Sequence, residues 1–291
     1  MPKTYNELYI GLRNLLKAAG VEACNLEARL LVAHAAGKTP EKLLQDLQLY
    51  TSPEIEKRVA ALGQRRLAGE PVAYITGKWE FYGLELNVSP AVLIPRSDTE
   101  VLAEQALERV EDRNASLRVL DLCTGSGCVG CALGRMLPRA RLTLADLSRE
   151  ALSLAKANVR DCGLTGRALC VEADALAEPA AQFGFFDLIV SNPPYIASFE
   201  IETLDGSVKD YEPRMALDGG GDGLDFYRSI TGKWSGLLRP GGWLLFEIGE
   251  TQAAAVSELM AQAGLTEIGV AQDTAGLDRV VYGRTKNEVG E

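Results

Sequence analysis

Histidine is nearly missing from this sequence: among 291 residues only His34 carries an imidazole, and it lies in the apolar run Leu30 to Ala36. A metal site of several histidines cannot be assembled from one, and a Ser-His-Asp triad would have to be built around that single residue. Long hydrophobic runs are missing too, none approaching the ~20 consecutive apolar residues of a spanning helix. The opening residues, Met1 to Glu7, lack the basic-then-apolar layout of a signal peptide, so the expectation is a soluble, cytoplasmic protein with no membrane partner. Positive charge is in deficit, with 30 Lys+Arg facing 40 Asp+Glu for a formal net charge of −10. Residues 1–115 carry −2 of this and residues 116–291 carry −8. A protein that draws its affinity from a phosphate backbone normally shows a basic surface, so direct nucleic-acid binding is not expected. Internal repeats and low-complexity tracts are absent as well.

Six cysteines are present: Cys24, Cys123, Cys128, Cys131, Cys162 and Cys170. Three of them match C-x4-C-x2-C, a spacing used by plant-type iron–sulfur proteins. The match overlaps a glycine loop and a helix start, which favours free thiols acting as small core residues in a reducing compartment. No metal is expected.

With 47% hydrophobic and 24% charged residues, the composition is that of a globular chain long enough for two domains. The first ~75 residues read as short helices. Thr4-x-x-Glu7 and Thr51-x-x-Glu54 fit capping boxes, and Thr39-Pro40 reads as a cap followed by proline at the first helical position. Leu8, Leu12, Leu15 and Leu16 share one helical face, and Leu26, Leu30 and Ala33 repeat that pattern. From Lys78 to Val88, aromatic and β-branched residues around Gly83 predict a short strand pair. Ser97-Asp-Thr-Glu100 fits another capping box, opening a helix to about Glu111.

From Leu117 onward apolar strand-like runs alternate with amphipathic helical runs, the signature of a largely parallel sheet covered on both faces. Strands are predicted at 117–122, 141–146, 167–172, 186–191, 242–248, 265–270 and 279–283, and helices at 128–137, 148–161, 225–238 and 251–263. The stretch from Ala173 to Phe185 fits neither pattern.

The chemistry concentrates at the ends of these strands. Leu117 to Leu122 runs into Cys123-Thr-Gly-Ser-Gly127 and then into a helix, so glycines occupy a turn where a ligand can approach the backbone and the helix start offers free N–H groups. Gly125-Ser-Gly-Cys-Val-Gly130 satisfies G-x-G-x-x-G, and Asp146 follows 21 positions after Gly125. That is also a dinucleotide fingerprint, so the loop alone leaves a nicotinamide cofactor and S-adenosylmethionine both open. Asp121, Asp146 and Asp174 fall at or after three consecutive strand ends along one rim, which favours an adenosyl cofactor. A fourth strand delivers Asn192-Pro-Pro-Tyr195 to the same rim. Two prolines stiffen the turn and remove two N–H donors, which suits recognition of a planar –NH2 group. Asn192 would accept through its side-chain oxygen and Pro193 through its carbonyl, with Pro194 stiffening the turn and Tyr195 packing on the flat face of the substrate.

The glycine loop together with Asn192-Pro-Pro-Tyr195 resembles the amino-methylating class I methyltransferases, which use S-adenosylmethionine. Ala91-Val-Leu-Ile-Pro-Arg-Ser-Asp-Thr-Glu100, Tyr211-Glu-Pro-Arg-Met-Ala-Leu217 and Leu244-Leu-Phe-Glu-Ile-Gly249 are similar to the branch that methylates the glutamine of the Gly-Gly-Gln motif in peptide-chain release factors. The resemblance covers nearly the whole chain. It implies an α/β fold with a Rossmann-like, mostly parallel seven-stranded sheet, a small all-α N-terminal domain and a β-hairpin connector. Its boundaries would be a helical substrate-recognition domain at 1–76, a hairpin-and-helix connector at 77–115, a methyltransferase domain at 116–286 and a tail at 287–291. It places the methionine part of the cofactor against Cys123, Thr124, Gly125, Ser126 and Gly127, the ribose on Asp146, the adenine near Asp174 and Ala175, and the substrate amide on Asn192, Pro193, Pro194 and Tyr195. Asn192 would also touch the cofactor. The implied partner is a release factor.

Two positions depart from the family pattern. Cys123 stands where glycine is common, and Ala175 stands where an aromatic residue often flanks the adenine, leaving that packing to Phe183 or Phe185. Arg96, Glu100, Glu212 and Arg214 are candidates for the substrate boundary. Competing readings are a methyltransferase acting on adenine or guanine amino groups, a nicotinamide-dependent oxidoreductase, and a non-catalytic interaction protein on the same fold.

Overall fold

The computed structural model describes residues 2–287; the end of the 287–291 tail lies outside the described residues. The chain divides into two compact units, one of residues 2–78 with Asp205–Tyr211, the other of residues 79–204 and those from Glu212 onward. The segment Asp205–Tyr211 therefore joins the helical unit although it lies within the range 116–286.

The first unit is built on helices Tyr5–Ala18, Cys24–Ala36, Pro40–Gln45, Pro53–Leu67 and Val72–Thr76. The first capping box forms: Glu7 N donates to Thr4 Oγ1 (3.2 Å) and Thr4 N donates back to Glu7 Oε2 (2.7 Å). Thr39 caps its helix with Pro40 in the first turn. The box expected at Thr51 is displaced by one residue, because the Thr51 hydroxyl donates to the Lys3 carbonyl (2.9 Å) and Ser52 takes over the cap. Tyr5, Leu8, Leu12 and Leu16 form the buried stripe of the first helix, and Leu15, at the stripe's edge, stays exposed. The second helix buries Cys24, Ala28, Leu31, Val32, Ala33 and Ala35, so of the predicted face Ala33 is buried while Leu26, like His34, faces solvent. Inside this unit the Tyr211 hydroxyl donates to the Ala68 carbonyl (3.0 Å).

The second unit opens on a hairpin of β1 (Lys78–Phe81) and β2 (Leu84–Asn87). Its two turn residues, Tyr82 and Gly83, both have positive φ (53° and 71°), matching the twist of the flanking strands. Glu100 accepts a hydrogen bond from Tyr82 N (2.8 Å). The capping box read at Ser97 therefore does not form; the helix runs Thr99–Glu108 with no side-chain cap, its glutamate being used by the hairpin.

Seven strands follow: β3 (Arg118–Leu122), β4 (Arg141–Asp146), β5 (Ala168–Glu172), β6 (Phe186–Ser191), β7 (Leu238–Glu247), β8 (Thr266–Gln272) and β9 (Asp278–Arg284). Their order across the sheet is β5-β4-β3-β6-β7-β9-β8. The first five are parallel, and β9 is antiparallel to both β7 and β8. Alternate side chains feed two cores, Val119, Leu188 and Val190 on one face and Leu120, Leu122 and Ile189 on the other. The chain winds outward from β3 through β4 to β5 and then returns to β3's other side as β6. A ligand crevice opens where the order reverses, beyond the carboxyl ends of β3 and β6.

The helix predicted over 225–238 is broken into an α turn (Asp225–Ser229), a π turn (Ile230–Trp234) and a 3-10 turn (Ser235–Leu237). Thr231 Oγ1 donates back to the Tyr227 carbonyl and Ser235 Oγ to the Thr231 carbonyl (both 2.6 Å), competing with the helical ladder. β7 in turn starts earlier than predicted.

Helix Cys128–Met136 lies so close to β3 and β4 that a Cβ on Gly130 would sit 2.8 Å from Leu144 Cγ and 2.9 Å from Asp121 Oδ2. Both neighbours are buried and cannot swing away. Gly130→Ala is expected to destabilise the fold by ~1–3 kcal/mol through overpacking. A thermal melt checks this; an unchanged midpoint would mean that helix and sheet separate more easily than their packing indicates.

Candidate active site

Beyond Leu122 the backbone takes left-handed conformations at Cys123 (φ 60°), Gly125 (φ 55°) and Gly127 (φ 80°). The first is an uncommon conformation for a residue with a side chain, which accounts for glycine suiting that position. Asp121 ties the loop to its helix: its Oδ2 accepts from Thr124 Oγ1 (2.5 Å) and from Gly130 N (2.9 Å). Its carboxyl is fully buried, which pushes its pKa up to about 7 despite those two donors. Of the three strand-end acids, Asp121 thus acts within the protein, holding the glycine loop in shape.

Asp146, at the end of β4, accepts from Gly125 N through Oδ2 (2.8 Å) and from Ser148 N through Oδ1 (2.9 Å). Burial still raises its carboxyl above the ordinary range. Asp174 closes its own turn by accepting from Leu176 N (2.8 Å). The Ser126 hydroxyl is buried with no regular hydrogen bond, only the Cys128 thiol beside it. Burial pushes the Cys128 thiol up to about 12 and raises Cys123 further, so both stay protonated at neutral pH. Among the described residues no group of three or more His, Cys, Asp or Glu side chains is gathered as metal ligands.

β6 delivers its motif to the same rim. Ser191 Oγ donates to the Leu122 carbonyl (2.6 Å), locking the end of β6 against β3 at the point where strand order reverses. Asn192 Nδ2 donates to Thr99 Oγ1 (3.3 Å). The Tyr195 hydroxyl reaches Glu247 Oε1 (3.5 Å), and its carbonyl accepts from Gln252 Nε2 (2.9 Å). The expected stacking residue is therefore held from both ends. Glu247 ends β7 as a buried carboxyl pushed up to about 7 by burial.

These elements enclose a cavity of about 380 Å³, a volume typical of small-molecule sites. Cys123, Thr124, Gly125, Ser126, Asp146, Asp174, Ala175, Asn192 and Pro194 line it together with Asp121; Gly127, Pro193 and Tyr195 are not among the lining residues. Phe183 and Phe185 do not supply its apolar wall. Phe183 packs edge-on against Trp234 (centroids 5.1 Å) in the core, and Phe185 faces solvent. Leu147, Leu176, Met215 and Phe226 line the cavity instead, and no pattern in the sequence marks them. Val92, Leu93 and Thr99 also contribute, from the segment Ala91 to Glu100 that sequence comparison singles out without assigning roles.

The charged residues expected at a substrate boundary divide. Glu212 is buried and bonded to Arg96 (2.6 Å), and its carboxyl is raised because burial outweighs the guanidinium. Glu100 serves the hairpin as described. Arg214, exposed, pairs with Glu202 (3.1 Å) and Asp218 (3.5 Å).

Asp121 and Glu247 predict a direction for stability against pH. Both carboxyls sit at about 7 in the fold against ordinary values of 3.8 and 4.5. Between those limits the folded chain binds more protons than the unfolded one, so their stabilisation is full below the unfolded values and lost as pH rises through about 7. The melting temperature is expected to fall from pH 5.5 to 8, and Asp121→Asn should flatten the fall. A rise over that range would contradict the burial of these acids.

Among the described residues no helix is long and apolar enough to cross a membrane. Residues 7–77 match the family described as PrmC N-terminal domain, and residues 98–205 match the Methyltransferase small domain family. The release factor glutamine methyltransferase of Geobacter sulfurreducens is 43% identical over 272 residues, covering 94% of this chain and 93% of that protein. Its namesake in Moorella thermoacetica is 42% identical over 274 residues, 94% of this chain and 95% of that protein. A methyltransferase from Pyrococcus furiosus, 14% identical, superimposes with a TM-score of 0.52 over 78% of this chain and 99% of that one, a likeness of fold alone. The nicotinamide-dependent and non-catalytic readings are set aside by these matches. Identity above 40% over more than nine-tenths of both chains leaves one conclusion: the chain belongs to the release factor glutamine methyltransferase family.

Proposed function

We propose that this protein methylates the side-chain nitrogen of the glutamine in the Gly-Gly-Gln motif of peptide-chain release factors, using S-adenosylmethionine. The observation that carries the reading is the placing of Asn192, its amide nitrogen tied to Thr99, in the wall of the cavity shared with the glycine loop and Asp146. The residues fit the cofactor. The loop Cys123 to Gly127 and the helix start behind it would take the methionine end, where the Ser126 hydroxyl has a hydrogen bond to give. Asp146 would hold the ribose hydroxyls, and Asp174 with Ala175 would meet the adenine beside the apolar side chains of Leu176 and Phe226. When bound, S-adenosylmethionine supplies a methyl group on a positively charged sulfur.

An amide nitrogen is a weak nucleophile because its lone pair is delocalised into the carbonyl. Asn192 Oδ1 and the Pro193 carbonyl would accept its two hydrogens, orienting the nitrogen and enriching its electron density. Pro194 keeps the turn rigid and Tyr195 supports it from behind. The proton departs after the new C–N bond forms, when the nitrogen is far more acidic, so no histidine base is needed. The helical segment 1–76 would recognise the release factor, residues 77–115 connect, and residues 116–286 carry the chemistry, in the cytoplasm where translation ends.

Incubation with labelled S-adenosylmethionine and unmodified release factor, followed by mass mapping, tests this. One methyl on the Gly-Gly-Gln glutamine is expected. Transfer to adenine or guanine amino groups instead, which the same acceptors would hold after base flipping, would replace this reading with a nucleic-acid substrate.

A further inference from the structure

We propose that Asn158, which does not itself line the cavity, is a positioning residue that sets two walls of it against one another, the glycine loop and the segment from Ala91 to Pro95. The inference rests on the cofactor and substrate reading given above.

Asn158 lies within the helix Arg149–Asp161, where its short polar side chain makes it a poor helix former, and it is completely buried. An amide in such a place must find all its hydrogen-bond partners inside the protein. It finds them on two segments far apart in sequence. Nδ2 donates to the Ser126 carbonyl (2.8 Å) and to the Asn87 carbonyl (3.0 Å). Oδ1 accepts from Asn87 N (2.7 Å) and from Asn87 Nδ2 (2.8 Å). These partners fix the orientation: a main-chain N–H only donates and the two carbonyls only accept, so the amide cannot turn by half a rotation.

Each segment leads into the cavity wall. The Ser126–Gly127 peptide is held at both ends, its carbonyl by Asn158 and its N–H by the Thr124 carbonyl (2.8 Å). Gly127 also lies against the helix that carries Asn158, since a Cβ there would sit 3.3 Å from Ala155 Cβ. On the other branch Asn87 ends β2, and Asn158 takes both its main-chain N–H and its carbonyl, as a neighbouring strand would. From Asn87 the chain runs through buried Val88 to Ala91, Val92, Leu93 and Pro95, all of which line the cavity. A residue needed only to fill the space beneath the loop would be apolar, as Ala155 and Val159 of the same helix are. An amide side chain at this point holds a carbonyl of the loop and both main-chain polar groups of the hairpin's last residue together.

The test uses the full chain with S-adenosylmethionine and a purified release factor. Asn158→Ala leaves the Ser126 and Asn87 carbonyls without their partner. It is expected to raise the cofactor Kd by ~10–100-fold and the release-factor KM, at saturating cofactor, by ~10-fold. Asn158→Asp keeps the shape and the oxygen facing Asn87 but not the two donated bonds, and should act in the same direction. Val159→Ala, at the neighbouring buried residue, controls for lost stability: it should lower the melting temperature while both constants stay within about threefold of the parent. A rise in only one constant, a rise in neither, or an equal rise in Val159→Ala would overturn the proposal. Positioning is also read without turnover. In 15N-labelled protein the backbone amide signals of Gly125 and Leu93, neither of which bonds to Asn158, should both shift in Asn158→Ala and stay in place in Val159→Ala. Either signal unmoved in Asn158→Ala would sink the link between the two walls. Should the parent protein transfer no methyl to release factor, the proposed function fails while the cofactor Kd and these signals still decide the role of Asn158.

Discussion

Asn192→Ala is expected to reduce turnover by ~10²–10³-fold, the usual loss when one preorganised hydrogen-bonding group is taken from a reacting centre. Affinity for S-adenosylmethionine should stay within a few-fold, since the substitution leaves Gly125, Asp146 and Asp121 in place. Two features make the loss large. Asn192 lines the cavity while its nitrogen is tied to the buried Thr99 hydroxyl, so the acceptor is oriented before substrate arrives. Alanine removes the acceptor and leaves that orientation to water, which does not hold the substrate nitrogen in line. Single-turnover kinetics with release factor, set beside calorimetric titration of the cofactor, separates the effects. Equal loss of affinity and rate would move Asn192 from the substrate to the cofactor.

Asp146→Ala is expected to act on the other side of that division. The carboxylate organises the loop by accepting from Gly125 N (2.8 Å) and Ser148 N (2.9 Å), and it would receive the ribose hydroxyls. Hydrogen bonds to a charged group contribute ~1.5–3 kcal/mol each, so two lost to the ribose raise the cofactor Kd by ~10²–10⁴-fold. The rate at saturating cofactor should recover to within about tenfold of the parent, because Asn192 and its neighbours are untouched. Calorimetry for Kd and initial rates across a range of cofactor concentrations give both quantities. An unchanged Kd would remove Asp146 from the cofactor site.

Much of this molecule is legible from local pattern. The capping box at Thr4, the proline-started helix at Thr39 and the alternation of β3 to β6 with helices follow from short-range hydrogen bonding and periodicity. The errors share a cause. Thr51 fails as a cap because the Lys3 carbonyl, 48 residues away in sequence, competes for its hydroxyl. Glu100 fails as a capping-box glutamate because the hairpin turn at Tyr82 takes it. Glu212, a surface candidate by charge, is drawn inward by Arg96, 116 residues distant. In each case a local rule is overridden by a partner that only folding brings within reach.

The site divides along the same line. Glycines at a strand end, acids at the next two and Asn192-Pro-Pro-Tyr195 at a fourth can be recognised one strand at a time, since each motif owes its geometry to the strand and turn that carry it. The apolar wall of Leu147, Leu176, Met215 and Phe226, the use of Asp121 to hold the glycine loop and the bond from Asn192 to Thr99 have no local signature. Their side chains come from segments tens to well over a hundred residues apart, and only strand register and helix packing bring them together. The sequence by itself determined the family, the fold class and the chemical types at the strand ends, because these depend on spacing within a single element. Which of the cavity-lining acids is fully buried and bonded within the protein, and which are not, was decided by tertiary structure alone, because burial and hydrogen-bond partnership are properties of the packed chain.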